Sequence, residues 1–358
     1  MVSVIIPAYN AGKNIERCLD SICSQAYEDL QIIVIDDGSQ DDTYNIIKKI
    51  SLGDSRIIPV HKDNGGVSSA RNVALDMVTG EYVFFLDADD VVEKDAIRIM
   101  VDAMHETKSD WVSAQYSRWK ENGDKLSNFD FTVGNSFFSS DNERIEFALN
   151  ELLPYRVGYE VWSKLYKSDI IRDNGIIFPE NCKRGEDLAF NLKYLMHAEK
   201  ITCIALRAIR YIITENSAMG QLNTLSVRIS ENIKLLEDVY HYIELTNNTA
   251  FAKKFSLMCF KLMEQTYVGY TPNDVIKALK QSEDSSFFIE RFDDFLCGKD
   301  EYLLTCNKDI RDIKLKYHMF IIWNFKGFPL FGRIMLTTYN FYRSLRHRPV
   351  LQKWKMPY

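Results

Sequence analysis

Hydrophobic residues in the first hundred positions fall into two alternating kinds of segment. Short segments are apolar at nearly every position, whereas longer segments carry apolar residues three or four positions apart. The first kind predicts buried strands and the second predicts amphipathic helices. The predicted strands are Val2–Ile6, Ile32–Ile35, Ile57–Val60 and Tyr82–Leu86. Because these strands are apolar throughout, both faces of the sheet are covered, which is typical of a parallel sheet with helices on each side.

Three helices are predicted between these strands. They cover Ile15–Cys23, Asp41–Ile50 and Val67–Met77. Gly80 follows the third helix, and a glycine is common there because it readily adopts the left-handed conformation that ends a helix. The alternation of strands and helices predicts the α/β class for this part of the chain.

The pattern changes in the later parts of the chain. The predicted strands there are Trp111–Trp119 and Ile201–Ile213, and the predicted helices are Asp141–Leu152 and Glu186–Ala198. From about Ser226 the apolar residues recur at helical spacing. We therefore predict a domain of residues 1–215, made of the halves 1–110 and 111–215, followed by a mainly helical region of residues 216–358.

Composition limits the classes of protein that fit. The chain has 358 residues, of which 46% are hydrophobic, so it can bury a substantial core. Its seven cysteines form no CxxC pair or regular zinc pattern, which favours reduced thiols in the cytoplasm. Residues 1–7 lack the basic and long apolar regions of a signal peptide. We expect a cytoplasmic protein.

Charge is unevenly distributed along the chain. The net charge is −6, yet residues 313–358 contain nine lysines and arginines, no acidic residue and many aromatic residues. Lys326, Gly327 and Pro329 interrupt the segment too often for a helix that spans a bilayer. A cationic, aromatic segment favours peripheral binding to an anionic membrane surface. Packing on the acidic remainder of the protein or at a dimer contact is the main alternative, and no nucleic-acid module accompanies the segment.

Polar residues follow three of the predicted strands. These groups are Ala8-Tyr9-Asn10, Asp36-Asp37-Gly38-Ser39 and Asp87-Ala88-Asp89-Asp90. In an open α/β sheet the carboxyl ends of the strands form the edge where ligands bind, so we expect one site from the three groups. Closely spaced carboxylates suit a Mg²⁺-type ion that is shared with phosphate oxygens, although aspartates are also common in turns. The glycine patterns of dinucleotide dehydrogenases and P-loop NTPases are absent from the sequence.

Six short motifs occur in a fixed order along the chain. They are SVIIPAYN at residues 3–10, IDDGS at 35–39, NGGVSSARN at 64–72, FLDADD at 85–90, VWSKLY at 161–166 and GED at 185–187. Together they resemble the family 2 glycosyltransferases with a GT-A fold, and six ordered motifs are far more specific than any one of them. The resemblance covers about residues 1–215 and implies a mostly parallel nucleotide-binding sheet flanked by helices.

The resemblance also implies a donor site for a nucleotide sugar, with UDP-sugars favoured. Asp37 would accept a hydrogen bond from the base, and the Pro7-Ala8-Tyr9 turn would pack on that base. Asn64 and Arg71 would hold the nucleotide and its phosphates. The alternatives are that the segment from Asp36 to Ser39 is a plain turn with a helix cap, and that Arg71 is a surface arginine.

The acidic motif after the fourth strand would complete this site. By resemblance, Asp87 and Ala88 would contact the ribose or the metal shell, and Asp89 would ligate Mg²⁺ or Mn²⁺. Asp90 would cap the next helix. Relatives often carry a further Arg or His for the diphosphate after the later strand, but this chain has no basic residue between Arg210 and Arg228. The diphosphate would then depend on the metal and Arg71, unless Arg210 reaches inward.

The GED motif supplies the candidate for the chemical step. Asp187 would be the catalytic base, because a displacement at a sugar needs a carboxylate near the acceptor hydroxyl. Glu186 is a competitor for this role, and the alternative for both acids is that they complement a helix dipole. Trp162 would line the acceptor sugar or would lie in the core. A single carboxylate with one metal ion fits an inverting, single-displacement reaction.

The function predicted from the sequence is that of a metal-dependent inverting glycosyltransferase. It would move a sugar, most simply from a UDP-sugar, to a glycan or lipid-linked acceptor in surface polysaccharide synthesis, on the inner face of the cell membrane. A non-catalytic nucleotide-sugar-binding scaffold is the alternative from a different class. A nucleotidyltransferase is a third hypothesis, but the glycine-rich basic loop usual for that class is missing. The sequence leaves the sugar, the acceptor and the oligomeric state open.

Overall fold

The computed structural model describes residues 1–213, 224–266, 270, 272–282, 285–287 and 291. The chain divides into two compact units, Met1–Ala218 and Met219–Tyr358. The basic aromatic segment of residues 313–358 lies outside the described residues, so its binding to a membrane surface stays a prediction. Residues 214–223, which follow the last strand of the first unit, also lie outside them.

The first unit begins with the alternation of strands and helices that the hydrophobic pattern predicts. The strands are β1 (Val2–Ala8), β2 (Leu30–Asp37), β3 (Ile57–Lys62) and β4 (Tyr82–Phe85). The helices are α1 (Ile15–Cys23), α2 (Thr43–Ser51) and α3 (Val67–Leu75). β1, β2 and β4 are buried over most of their length, as expected for strands covered on both faces. β3 lies at the edge of the sheet, and of its residues only Ile57 is buried.

The second part of this unit contains more strands than the sequence predicted. The strands are β5 (Val91–Val92), β6 (Trp111–Lys120), β7 (Lys125–Phe129), β8 (Gly134–Phe137), β9 (Lys164–Lys167) and β10 (Lys200–Ile213). The helices are α4 (Ala96–Thr107), α5 (Asp141–Phe147), α6 (Ser168–Asp173) and α7 (Glu186–Leu195), and a π-helical turn at Ala148–Leu152 continues α5. Of these elements, β6, β10, α5 with its π turn and α7 were predicted. The strands β5, β7, β8 and β9 and the helix α6 were missed because they are short. The twelve-residue helix α4 was missed although its apolar residues are buried.

One mixed sheet of ten strands organises the described part of this unit. Its order is β3-β2-β1-β4-β9-β6-β10-β5, with β7 beside β6 and β8 beside β10. The first four strands are parallel, which confirms the prediction from their continuous apolar runs. β9 is antiparallel to both of its neighbours, β4 and β6. It therefore joins the parallel strands β1 to β4 to the strands of the second half.

β1 extends two residues beyond its predicted end. Pro7 and Ala8 pair with Ile35 and Asp36 of β2, so they belong to the strand and the prediction that they form a turn is wrong. A proline is tolerated at this point because the pairing of β1 with β4 has already ended at Ile5. The turn begins at Tyr9, and the next residue, Asn10, has a left-handed backbone with φ 48°.

The prediction that Asp90 caps a helix is also wrong. The next helix, α4, begins only at Ala96. Asp90 is fully buried, and its Oδ1 accepts a hydrogen bond of 2.8 Å from the main-chain nitrogen of Ile212. The following strand β5 pairs with β10 at Arg210 and Ile209. Asp90 thus ties the acidic segment after β4 to the end of β10.

The second unit is helical in its described part, as the spacing of its apolar residues predicted. Its helices are α8 (Leu225–Leu245), α9 (Thr249–Thr266) and α10 (Pro272–Gln281). Thr224 caps α8, since its side chain accepts a hydrogen bond from the main chain of Val227. In the parts of the chain that the structure describes, no helix is both long enough and apolar enough to cross a bilayer.

Candidate active site

Arg71 is the centre of a charged cluster at the carboxyl edge of the parallel strands. It lies in α3, and only 2% of the residue is exposed. Its Nη1 donates to Oδ1 of Asp187 at 2.7 Å, and its Nη2 donates to Oδ1 of Asp87 at 2.9 Å. A carboxylate oxygen of Glu186 lies 3.6 Å from Nη1. The structure thereby brings four predicted site residues together and excludes the alternative of a surface arginine.

The surroundings of Arg71 keep it charged. Burial alone would lower its pKa, but the negative charges of Asp187, Asp87 and Glu186 outweigh burial and raise the pKa above its ordinary value. The guanidinium also lies over the ring of Phe178, 5.1 Å from its centroid. The sequence did not single out Phe178, which lies between two predicted motifs and carries no recognisable pattern.

Asp187 is held in a defined orientation from both sides. While Arg71 binds Oδ1, the main-chain nitrogen of Val161 donates to Oδ2 at 3.1 Å. Gly185, with φ 91°, precedes α7 and places both acids in its first turn. That position satisfies the helix-dipole alternative as well, but the bond to Arg71 reaches across 116 positions of sequence and joins two parts of the fold.

Burial shifts the acids of this cluster toward their protonated forms. It raises the pKa of Asp187, a shift that the charge of Arg71 opposes. It also raises the pKa of Glu186 from 4.5 to about 7, with a further contribution from the charge of Asp187. Raised carboxyl pKa values near a buried arginine are typical of sites that handle protons.

The acidic segment after β4 turns sharply at Ala88, which is buried. The carbonyl oxygen of Asp87 accepts a hydrogen bond from the main chain of Asp90, and the carbonyl oxygen of Asp89 accepts one from Arg17. Burial, assisted by the negative charge of Asp87, raises the pKa of Asp89 to about 6. The negative charge of Asp87 thus disfavours a negative charge on Asp89, and a cation bound near both carboxyl groups would reduce this repulsion.

This pair is compatible with a metal ion of the Mg²⁺ type. Such ions are usually held by one or two carboxylates and complete their shell with water and phosphate oxygens. The described residues contain no group of three or more His, Cys, Asp or Glu side chains arranged for a metal. Asp87 and Asp89 therefore fit an ion that is shared with a diphosphate and do not form an all-protein cage.

Asp37 joins the turns that follow β2 and β3. Its Oδ1 accepts hydrogen bonds from Lys62 Nζ at 2.7 Å and from the main chain of Gly65 at 2.9 Å, and its Oδ2 accepts one from Gly66 at 2.7 Å. Asn64 closes the same junction, because its Nδ2 donates to the carbonyl oxygen of Asp37 at 2.9 Å. Lys62 lies outside the six sequence motifs and was not predicted.

The residues predicted to pack on a base differ in exposure. Ala8 is buried, whereas 51% of Tyr9 is exposed. The turn after Tyr9 is fixed by Asn10, whose main-chain nitrogen donates to Ser39 Oγ at 2.9 Å and whose Oδ1 accepts from Gln40. Tyr9 is consequently the one of the three predicted residues that offers an open aromatic ring.

Two predicted contacts are directed elsewhere. Trp162 is buried and stacks on Tyr211 with 5.3 Å between ring centroids, so it occupies the core, the second of its two alternatives. Arg210 forms a bidentate pair with Glu93, with distances of 2.6 and 2.8 Å. Arg210 thus does not point to the cluster around Arg71.

Comparison with known proteins gives a family match for part of the chain and a match of the fold. Residues 3–162 match the family described as Glycosyl transferase family 2. The glycosyltransferase GlyA of Streptococcus pneumoniae is 28% identical over 253 residues, which are 68% of this chain and 36% of that protein. The poly(ribitol-phosphate) beta-N-acetylglucosaminyltransferase TarS of Staphylococcus aureus is 29% identical over 212 residues, which are 58% of this chain and 35% of that protein. The chain thus spans less than two thirds of the length of these curated relatives.

A solved structure gives the same result for the fold. The crystal structure of S. aureus TarS 1-349 in complex with UDP-GlcNAc superposes with a TM-score of 0.58 at 22% identity, over 93% of this chain and 91% of that chain. The GT-A fold expected from the six motifs is therefore confirmed.

Proposed function

Residues 3–162 of this chain belong to glycosyl transferase family 2, and on that premise we propose that the protein transfers a sugar from a nucleotide sugar to a hydroxyl group of a surface-glycan acceptor. The observation that carries the proposal is that one buried arginine contacts both a carboxylate of the proposed donor site and the proposed catalytic base. Arg71 bonds to Asp87 on the donor side and to Asp187, the proposed base. A protein that only bound a nucleotide sugar would not need an oriented carboxylate beside its donor site.

The proposed donor is a UDP-sugar. Its support is the TarS structure in complex with UDP-GlcNAc, together with the residues at the edge of the sheet. The exposed ring of Tyr9 would cover the base. Oδ2 of Asp37 accepts one hydrogen bond from Gly66, and a carboxylate oxygen can accept two, so it keeps capacity for an N–H group of the base.

The proposed chemical step is a single displacement. Asp187 takes the proton of the acceptor hydroxyl while the oxygen attacks the anomeric carbon and the bond between sugar and diphosphate breaks. The contacts from Val161 and Arg71 fix the carboxylate, so little reorganisation is needed when the acceptor arrives. Attack from the side opposite the leaving group inverts the anomeric centre.

The proposed cofactor is Mg²⁺ or Mn²⁺, held by Asp89 and Asp87. When bound, the ion would supply positive charge beside the leaving diphosphate. Arg71, 2.9 Å from Asp87, keeps a second positive charge at the same place. The guanidinium of Arg71 stays protonated, so its positive charge does not depend on pH in the working range.

The proposed acceptor belongs to a surface polysaccharide. Relatives named poly(ribitol-phosphate) beta-glucosyltransferase in Bacillus spizizenii and TarS in S. aureus support this class of acceptor. The basic aromatic segment of residues 313–358 would hold the enzyme at the membrane surface where such glycans grow. Neither proposal selects among sugars or linkages.

Release of free nucleotide from UDP-, GDP- and dTDP-sugars, with Mn²⁺ or with a chelator, tests the proposed function. We expect metal-dependent release from one donor class, slow with water and faster when a membrane extract supplies acceptor. Tight donor binding without release would favour the non-catalytic scaffold. Consumption of a nucleoside triphosphate with release of pyrophosphate would instead favour a nucleotidyltransferase.

A further inference from the structure

The segment between the π-helical turn and β9 is built around the proposed base. It contains three residues with left-handed backbones, namely Tyr155 with φ 61°, Gly158 with φ 60° and Ser163 with φ 62°. For residues other than glycine this conformation is unfavourable and persists only where the surrounding structure imposes it. The same segment contains Val161, whose main-chain nitrogen holds Asp187 at 3.1 Å. Strain and the orientation of the base thus coincide in one short stretch of chain.

Buried polar contacts hold this segment in place. The hydroxyl of Tyr155 donates to Glu160 Oε1, and the hydroxyls of Tyr155 and Tyr116 lie 3.1 Å apart. A carboxylate oxygen of Glu160 lies 3.8 Å from Nζ of Lys164, which is itself buried. Gly158 has a left-handed backbone that favours glycine, and a side chain there would also displace the carboxylate of Glu160.

An aromatic surface covers these contacts. Phe129, Tyr155 and Tyr159 are only partly buried. The ring of Tyr155 lies 4.7 Å from that of Tyr159 and 5.1 Å from that of Phe129, and Phe129 stacks on Tyr116 at 4.8 Å. Trp162 supports the group from the core through an edge contact of 4.7 Å with Tyr116. We call Phe129, Tyr155 and Tyr159 the aromatic surface.

Its chemistry suits a carbohydrate. The C–H bonds of a sugar ring form an apolar face that packs on aromatic rings, while its hydroxyls need nearby polar groups. Arg118 provides such a group, because its guanidinium lies 3.4 Å from the hydroxyl of Tyr116 and 5.9 Å from the centre of that ring. The aromatic surface also lies near the proposed base. Tyr155 donates a hydrogen bond to Glu160, and the main-chain nitrogen of the next residue, Val161, donates to Asp187.

We propose that the aromatic surface, with Arg118 and Glu160 beside it, binds the acceptor as a sugar or polyol and presents its hydroxyl to Asp187. This inference rests on the proposed function and adds the acceptor subsite to it. The sequence suggested that Trp162 lines the acceptor sugar. We assign this role instead to Tyr159 and its neighbours, which are partly open to solvent. Trp162 acts beneath them as support.

Nucleotide release with and without added hydroxyl compounds tests this subsite. The probes are methyl glucoside, methyl N-acetylglucosaminide, glycerol and ribitol, each added to the full chain with its best donor and Mn²⁺. We expect at least one probe to stimulate release. In Tyr159→Ala the ratio of stimulated to basal release should fall about tenfold, whereas Tyr159→Phe, which keeps the ring, should retain most of it. Using the ratio corrects for any loss of folded protein.

Phe137→Ala is the matched control, because Phe137 is a highly exposed aromatic residue on β8 and lies outside the aromatic surface. Its ratio should equal that of the parent. Equal ratios in Tyr159→Ala and the parent would overturn the subsite, and so would basal release that none of the four probes stimulates. Absence of basal release from every donor would instead overturn the proposed function itself.

Discussion

Arg71 and Asp187 are separated by 116 positions in sequence, yet Nη1 of the arginine lies 2.7 Å from Oδ1 of the aspartate. The bond connects helix α3, which follows the third strand, to helix α7 in the second half of the sheet. The same guanidinium also binds Asp87, so one side chain links the proposed donor side to the proposed base. Several measurable consequences depend on this geometry.

Asp187→Asn should reduce the rate of sugar transfer by about 10²–10⁴-fold, because the amide cannot take a proton from the acceptor. Donor affinity, measured by calorimetry with UDP, should change little. Glu186→Gln is the control on the neighbouring residue and should lose much less activity. If Glu186→Gln were the more damaged of the two, the base would be Glu186.

Arg71→Met should lower the free energy of unfolding by about 3–5 kcal/mol, because it leaves buried carboxylates without their cation. Chemical denaturation measures this change. Arg98→Met serves as the control, since Arg98 forms a half-exposed pair with Asp102 and should cost about 0.5 kcal/mol or less. A similar loss in both variants would contradict the central role of Arg71.

Glu186 should make stability depend on pH. Its pKa rises from 4.5 to about 7 on folding, so the folded state binds more protons than the unfolded state between those values. Stability should therefore fall as pH rises from about 4.5 to about 7. Glu186→Gln should flatten this slope, and the melting temperature of the variant relative to the parent should increase with pH. An unchanged slope in the variant would show that Glu186 is not the group responsible.

Asp89→Ala should remove most of the stimulation of nucleotide release by Mn²⁺ while the protein stays folded. Burial and the charge of Asp87 raise the pKa of Asp89, so its loss removes an unfavourable charge from the apo protein. A metal titration of release, accompanied by thermal melting without metal, checks both parts. Metal stimulation that persists at the parental level would exclude Asp89 as a ligand.

Gly38→Ala should lower the free energy of unfolding by about 1–3 kcal/mol. The glycine has φ +72°, and an added Cβ would lie 2.7 Å from the main-chain nitrogen of Asn64. The junction of the turns after β2 and β3 would have to open. Gly53→Ala is the control, since its Cβ would meet only an ordinary contact at 3.5 Å, and it should be nearly neutral. Equal stability of the two variants would show that the junction yields without strain.

The sequence predicted the parallel strands β1 to β4 and the helices between them well, because these strands are continuous apolar runs. Parallel pairing places the carboxyl ends of these strands at one edge of the sheet, so the polar residues that follow the strands converge on that edge. The sequence also named Asp87, Glu186 and Asp187, which the structure brings to Arg71. It could not predict that Arg71 is buried between Asp87 and Asp187, because that depends on how α3 and α7 approach each other.

The errors have physical reasons as well. Pro7 suggested a turn. The pairing of β1 with β4 ends at Ile5, before the proline, so β1 can continue past Pro7. Asp90 suggested a helix cap, but a two-residue strand follows it and brings the main chain of Ile212 within reach. Trp162 and Lys62 depend on tertiary partners, Tyr211 and Asp37, that no local pattern indicates.

The antiparallel strand β9 has a consequence for how this protein could diversify. Its pairing with β4 and β6 fixes one end of the strained segment that carries Tyr155 and Tyr159, and the π-helical turn fixes the other. Residues 153–163 are therefore a segment held at both ends by regular structure. On the proposed acceptor subsite, we expect that exchanging this segment between relatives would change the acceptor and leave the proposed donor site on β1 to β4 unchanged.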